Sequence, residues 1–194
     1  AKSLGKIGQG NQEAIDALVQ LLKSDQLDDY TCRQVAVSLG KIGQGNQKAI
    51  DALIQLLKSD QLSDDTRWLV AVSLEEIGPG NQNAINALVQ LLGSPQLKDH
   101  TRWQVTKSLG NIDPGNQNAI DALVQLLNSP QLDDYTRRKV AESLEKIAAD
   151  KPFAVITALK AHFNNSQQIN RDYYKLIWHY AQNLPYPDFY QAWH

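Results

Sequence analysis

Apolar residues recur along this chain at helical spacing, in blocks that return every 35 residues. One block, Ala14, Ile15, Leu18, Val19, Leu21 and Leu22, forms a single stripe of 3.6-residue period. It follows a Gly-x-Gly punctuation and an Asn, a good N-cap, so a helix is predicted from Asn11. A second pattern runs from about Asp29 to Ile42, with Val35, Ala36, Leu39 and Ile42 inward, and is expected to close at Gly43 in a left-handed cap. Asn11, Asn46, Asn81 and Asn116 stand 35 residues apart within Gly-Asn-Gln-x-Ala-Ile, and Thr31, Thr66, Thr101 and Thr136 keep the same interval. Two helical patterns per unit and no alternating strand pattern predict an all-α fold, an α-α superhelix built as a right-handed solenoid of helix pairs. Small residues at Ala14, Ala17, Ala36 and Ser38 suit tight stacking of the pairs.

A lone unit cannot fold, because ordering each residue costs about 1–2 kcal/mol of backbone entropy while a buried Leu or Ile returns about 1.5–3. Stacking supplies the difference, and both ends of the stack are unusual. Leu4, Gly5, Ile7 and Gly8 match Leu39, Gly40, Ile42 and Gly43, so the chain opens inside a truncated unit and lacks an initiator Met. The expectation is a piece of a longer protein, or an N-terminal unit that self-associates. Residues 1–150 read as repeats, with four full copies of the second helix from residue 29 onward, and 151–194 as a degenerate repeat with an aromatic cap. There Pro152 to Phe163 and Ile169 to Asn183 are expected as helices, Leu184-Pro185-Tyr186-Pro187 as a break, and Asp188 to Trp193 as at most a short helical turn. Eight of the fourteen aromatics fall in the last 22 residues: Tyr173, Tyr174, Trp178, Tyr180, Tyr186, Phe189, Tyr190 and Trp193. They either seal the end of the solenoid or dock another part of a parent chain.

Comparing the copies separates scaffold from surface. On the first helix even solvent-side residues barely change: Gln12, Gln47, Gln82 and Gln117, then Asp16, Asp51, Asn86 and Asp121, then Gln20, Gln55, Gln90 and Gln125. We call it the fixed helix. On the other, the variable helix, five positions differ from copy to copy, and their spacing of 3, 1, 3 and 4 places them on one face. They are Tyr30, Arg33, Gln34, Val37 and Lys41 in the first copy, and Asp65, Trp68, Leu69, Val72 and Glu76 in the second. The third carries His100, Trp103, Gln104, Lys107 and Asn111, and the fourth Tyr135, Arg138, Lys139, Glu142 and Lys146. Stacked, these faces make one strip, with Arg33, Trp68, Trp103 and Arg138 in register as a candidate partner site. The other reading is that each Trp lies over its neighbour as cover, with Arg stacked on it.

Asp29, Asp64, Asp99 and Asp134 precede Cys32, Arg67, Arg102 and Arg137 by three residues. A carboxylate at a helix start followed by Arg suits capping, dipole compensation and an i,i+3 or inter-unit ion pair, a structural ladder in which Cys32 is a missing rung. The formal charge of −2 gives no long-range field for phosphates, which counts against a nucleic-acid binder. A single cysteine excludes an internal disulfide and Cys-rich zinc sites and favours a reducing, cytoplasmic location. No apolar run reaches the roughly 18 residues of a membrane span. His100, His162, His179 and His194 lack metal-ligand spacing, and Gly-x-Gly pairs such as Gly43 and Gly45 follow helices and read as turns. Asp16, Asp51 and Asp121 sit one per unit on a solvated face, so nothing recommends catalysis, a metal or a cofactor.

The units Asp64-Asp65-Thr66-Arg67 … Ala71-Val72-Ser73-Leu74 … Ile77-Gly78, followed by Ala84-Ile85 … Leu88-Val89-Gln90-Leu91-Leu92, resemble HEAT-type repeats of the phycobilisome-lyase class over residues 1 to 148. Departures are Thr before the Arg and the Ser-x-Gln-Leu insert at Ser59 to Leu62. The resemblance implies that the Arg-bearing helix lines the concave side. Tyr173 to His194 resembles the region that follows HEAT-like repeats in cyanobacterial proteins with a NACHT-type nucleoside-triphosphatase module, which implies the C-terminal sensing or scaffold part of a signalling NTPase. No Gly-x-x-x-x-Gly-Lys-Ser/Thr loop is present in this chain. The expectation is therefore a non-enzymatic scaffold that binds a protein or peptide along the strip. Two alternatives are a bilin lyase subunit and a HEAT-like DNA-binding or glycosylase fold.

Overall fold

A computed structural model describes residues 10–24, 27–59, 61–94, 97–130, 132–165 and 170–194. The truncated first unit (Leu4 to Gly8), Asp60 of the insert and Ile169 lie outside the described residues. The fixed helices are α1 (Gln12–Leu22), α3 (Gln47–Leu57), α5 (Gln82–Leu92) and α7 (Gln117–Leu127). They alternate with the variable helices α2 (Asp29–Ile42), α4 (Asp64–Ile77), α6 (Asp99–Ile112) and α8 (Asp134–Asp150). Then follow α9 (Pro152–Asn165), α10 (Arg171–Asn183) and α11 (Tyr186–Trp193). Each fixed helix packs on its variable partner and on the fixed helices to either side, and the variable helices stack likewise, giving a two-layered α-solenoid.

The core lies between the layers. Ile15 and Leu18 of α1 meet Val35, Ala36 and Leu39 of α2, and the pattern recurs to Leu123, Val140, Leu144 and Ile147, all but solvent-free. Adjacent variable helices lie against each other more closely than adjacent fixed helices do. The cause is small residues at the crossing: a Cβ added to Gly40 of α2 would stand 3.1 Å from the Ser73 Cβ of α4. The fixed helices splay, leaving grooves between neighbours.

Each fixed helix opens as expected, with Asn11, Asn46, Asn81 and Asn116 accepting from the backbone N–H of Ala14, Ala49, Ala84 and Ala119. The junction after the variable helix departs from expectation. Gly43 caps α2 at φ −94°, outside the left-handed region. Positive φ belongs to Gly10, Gly45 and Gly80, and their N–H groups donate to the Ile42, Ile77 and Ile112 carbonyls one unit on, at 2.8–3.0 Å. Gly43 is required for space instead, since an added Cβ would meet the Leu39 carbonyl oxygen at 2.7 Å and the Ala49 Cβ at 3.0 Å. Gly43→Ala is therefore expected to lower the melting temperature by about 5–10 °C, checked by thermal denaturation. In α8 this glycine is replaced by Ala148, and the helix runs three residues further than α2, α4 and α6.

At the C-terminal end α9 takes the place of a fixed helix against α7 and α8, and α10 packs on α8. Tyr173 is fully buried with its hydroxyl donating to the Leu159 carbonyl, and Tyr180 donates to the Leu144 carbonyl at 3.3 Å. Burial raises both phenols far above their ordinary range. Phe189 stacks on Trp193 at 5.9 Å between ring centres, both partly buried against the core. Tyr174, Trp178, Tyr186 and Tyr190 stand exposed. The aromatic segment thus divides evenly, four rings buried or partly buried against the core and four exposed. Its last helix is longer than expected: Tyr186 and Pro187 need no intrahelical N–H partner in a first turn, so α11 starts at the Pro-rich break and runs for eight residues.

Candidate partner-binding strip

The inner face of each variable helix is consumed by the core, which leaves the varying positions on the opposite side. None of the twenty is buried. Tyr30 and Tyr135 are 59% and 53% exposed, while Arg33, Trp68 and Trp103 are half-buried in register. Aromatic rings run along the strip across three units. Trp68 meets His100 at 6.4 Å, His100 meets Trp103 at 5.7 Å and Trp103 meets Tyr135 at 6.1 Å, all edge to face. The Lys139 ammonium lies 5.7 Å from the centre of the Tyr135 ring.

Polar links tie the same units. Arg33 reaches Asp65 at 3.8 Å and Asp29 at 3.7 Å, Asn111 donates to Glu75 at 2.8 Å, and Lys146 donates to Asn111 at 2.6 Å. Lys139 pairs with Glu142 at 2.7 Å, which raises its pKa. A hollow of about 300 Å3 opens beside Trp103, walled by Lys107, Lys139, Glu142 and Lys146. Trp68 Nε1 and Arg33 Nε are shielded from solvent with no acceptor among the described residues.

The acidic positions do something other than the expected capping. The caps fall one residue earlier: Asp28, Ser63 and Asp133 accept from Thr31, Thr66 and Thr136, whereas Lys98 makes no side-chain cap. Asp29, Asp64 and Asp99 instead meet the capping residue of the next unit. Asp29 accepts from the Ser63 N–H at 2.9 Å and the Ser63 hydroxyl at 2.7 Å, and Asp64 pairs with Lys98 at 3.5 Å. Burial pushes the Asp29 carboxyl up, but the Ser63 donors and Arg33 more than offset it and hold it below the ordinary range. Asp134 is exposed in the first turn of α8. Asp99 faces Asp133. Hydrogen bonding to that second carboxyl, with burial and repulsion behind it, raises Asp99, while the Thr136 N–H holds Asp133 down.

A raised carboxyl contributes stability that is complete below its unfolded value and is lost as pH rises through the folded one. At neutral pH this rung is therefore repulsive. Asp133→Ser copies the Ser63 arrangement and is expected to raise the melting temperature by about 1–3 °C at pH 7, with the gain gone by about pH 3. Paired thermal melts at the two pH values check it.

Of Arg67, Arg102 and Arg137, Arg102 alone pairs, among the described residues, with the aspartate three residues before it, at 3.8 Å from Asp99. The main work of all three arginines is at the elbow between helices, where they donate to backbone carbonyls: Arg67 to Leu57 and Ser59, Arg102 to Leu92, Ser94 and Leu97, and Arg137 to Leu127, Ser129 and Leu132. A further ladder, not anticipated from sequence, explains the constancy of the fixed helices. Asn46, Asn81 and Asn116 donate to Gln12, Gln47 and Gln82 of the preceding unit at 2.9–3.1 Å. Those glutamines donate onward to Asp16, Asp51 and Asn86, any of which supplies the one oxygen needed. The signal was present in the invariance of Asn and Gln on an exposed face.

A family model described as HEAT repeats matches residues 1–75 and 60–145. The chain belongs to the HEAT repeat family. Beyond the HEAT units, residues 166–194 match a model described as NACHT C-terminal Cysteine and Histidine-containing. In this chain that segment carries His179 and His194 and no cysteine, the sole cysteine being Cys32 in the first full HEAT unit. No curated protein matches the chain. No described helix is long and apolar enough to cross a membrane, and no group of metal-ligating side chains is found among the described residues.

Proposed function

We propose that this HEAT solenoid is a non-enzymatic, cytoplasmic scaffold that holds a protein or peptide along its variable strip, as the C-terminal sensing part of a NACHT-type signalling NTPase. The observation that carries the reading is the row Trp68, His100, Trp103 and Tyr135: aromatic, accessible, continuous across three units, and placed where the copies are free to differ. Rings of this kind combine large contact area with low entropy cost, which is why they dominate binding hot spots. The closer packing of the variable helices supports an inner, concave position for the strip.

Charge refines the partner. Arg33, Lys41, Lys107, Arg138, Lys139 and Lys146 oppose Asp65, Glu76 and Glu142 along the strip, a cationic surface on a chain of net charge −2. The favoured partner is an acidic segment with aromatic or aliphatic anchors. Selection of a displayed peptide library on the whole chain tests this. Acidic peptides that perturb the Trp68 and Trp103 indole resonances support it; enrichment only of peptides that bind the fixed-helix face overturns it. The exposed Tyr174, Trp178, Tyr186 and Tyr190 suit docking against the rest of such a parent chain.

A further inference from the structure

Each crossing of neighbouring variable helices brings together two positions 36 residues apart, and in the first two crossings one of the pair is a carboxylate. Between α2 and α4 the pair is Gly40 and Glu76: the Glu76 Oε2 lies over the glycine, 2.8 Å from where a Cβ would stand. Between α4 and α6 it is Glu75 and Asn111, and the Asn111 amide donates to the Glu75 carboxylate at 2.8 Å. Between α6 and α8 it is Gly110 and Lys146, with no acid. A Cβ added to Gly110 would meet no side-chain oxygen within 4 Å among the described residues, its neighbours there being the Ser143 Cβ at 3.6 Å and the Ile147 Cδ1 at 3.9 Å. The third crossing is therefore open where the first is filled.

The hollow of about 300 Å3 beside Trp103 opens over Gly110 at this third crossing. That is the small end of the range of clefts that take ligands, about 300–1,000 Å3. Trp103 and Lys107 stand one turn apart on α6, and Lys139 and Lys146 two turns apart on α8, so three lysines line one space. Glu142 is the one acid in the wall, and Lys139 holds it at 2.7 Å. Lys146 donates to Asn111, and Lys107 makes no hydrogen bond or ion pair among the described residues. Three ammonium groups against one carboxylate leave the hollow with two positive charges in excess, where the earlier crossings hold an anion of their own. Ammonium groups are point charges that any carboxylate oxygen can meet. The aromatic row borders the same space, since Trp103 is one wall and meets Tyr135 at 6.1 Å. An apolar anchor on that row and an acid over Gly110 are thus about one helical turn, ~5.4 Å, apart. In an extended chain, residues i and i+2 share a face about 6.5–7 Å apart, which matches.

Resting on the strip reading above, we propose that this hollow is the seat of a partner carboxylate: an Asp or Glu side chain of an extended segment, two residues from an aromatic or aliphatic anchor that lies on Trp103 and Tyr135. The test is an amide and indole NMR titration of the whole chain with acetyl-Phe-Ala-Glu-amide, acetyl-Phe-Ala-Gln-amide and acetyl-Ala-Phe, whose one carboxylate is its chain terminus. The Glu peptide is expected to bind with a Kd of about 1–10 mM, shifting the Gly110, Asn111 and Ser143 amides and the Trp103 indole, and the Gln peptide at least about fivefold more weakly. Lys146→Glu, which offers Gly110 the carboxylate that Gly40 receives from Glu76, is expected to remove that preference. Lys23→Glu makes the same change of charge at an exposed position on the fixed layer and is expected to keep the preference within about twofold. Equal binding of the Glu and Gln peptides at Trp103, or an equal loss in Lys23→Glu, overturns the seat and leaves the strip reading standing. No shift at the hollow with the Glu peptide at about 20 mM also overturns the seat, whereas the strip reading falls only with the library selection. Equal or tighter binding of acetyl-Ala-Phe overturns the side-chain source in favour of a chain terminus. The comparison of Glu with Gln uses the unaltered chain, so it decides even if Lys146→Glu fails to fold.

Discussion

Replacing Trp68 and Trp103 together by alanine is expected to weaken binding of a strip-selected peptide by at least about 100-fold while lowering the melting temperature by no more than about 5 °C. The two effects separate because the rings and the core lie on opposite sides of α4 and α6. Val70, Ala71, Leu74 and Ile77 hold α4 in place, as Val105, Leu109 and Ile112 hold α6, and none of them touches solvent appreciably. The indoles lose three edge-to-face contacts on truncation, each worth roughly 0.5–1.5 kcal/mol, and some of that loss returns as the Trp68 Nε1 donor is removed. A bound chain loses two central anchors at about 2 kcal/mol each. Fluorescence anisotropy and circular dichroism on the same preparations check both halves, with Gln55→Ala plus Gln90→Ala as the control on the other layer. A fall of more than about 10 °C in melting temperature would assign the tryptophans to packing and remove the basis of the strip.

Arg102→Ala should cost the fold more than any substitution on the strip. Its guanidinium joins the end of α5 to the start of α6 through the carbonyls of Leu92, Ser94 and Leu97, with the side chain only 14% exposed. Alanine leaves three carbonyls with water as their best alternative in a half-buried elbow, a loss of about 3–4 kcal/mol. For a chain of this size that is a drop of roughly 6–12 °C, measured by thermal denaturation. Arg102→Lys should recover less than half of it, because an ammonium cannot span the fork of acceptors. Solenoid stability depends on the interfaces between neighbours, so the loss should be felt on both sides of the elbow, in α5 as much as in α6.

Most of the architecture was legible because it is written four times. Asn11 and its equivalents cap where expected, and the apolar stripes fill the interlayer core. Local rules erred where a neighbouring unit intervened. Gly43 looked like a left-handed cap but is needed for contact with Ala49, while the positive φ passed to Gly45, whose N–H serves the next unit. The Asp29 series was expected to cap its helices and to pair at i,i+3 or between units. The caps fall one residue earlier, while Asp99 does meet Arg102 and Asp64 pairs between units. That the partners are Ser63, Lys98 and Asp133, 34 residues on, is not given by spacing within one helix.

The repeat by itself determined that the chain folds as stacked helix pairs, which faces are buried, and which positions are released from that duty, because a hydrophobic stripe at 3.6-residue spacing has only one way to leave water in such a stack. Only the tertiary structure decided what those released positions do to one another: that Trp68, His100, Trp103 and Tyr135 meet as one row, and that Asp99 faces Asp133. These are contacts between units. They follow from the distance and rotation between successive helix pairs, which is set by the packing of Gly40 against Ser73 and similar crossings.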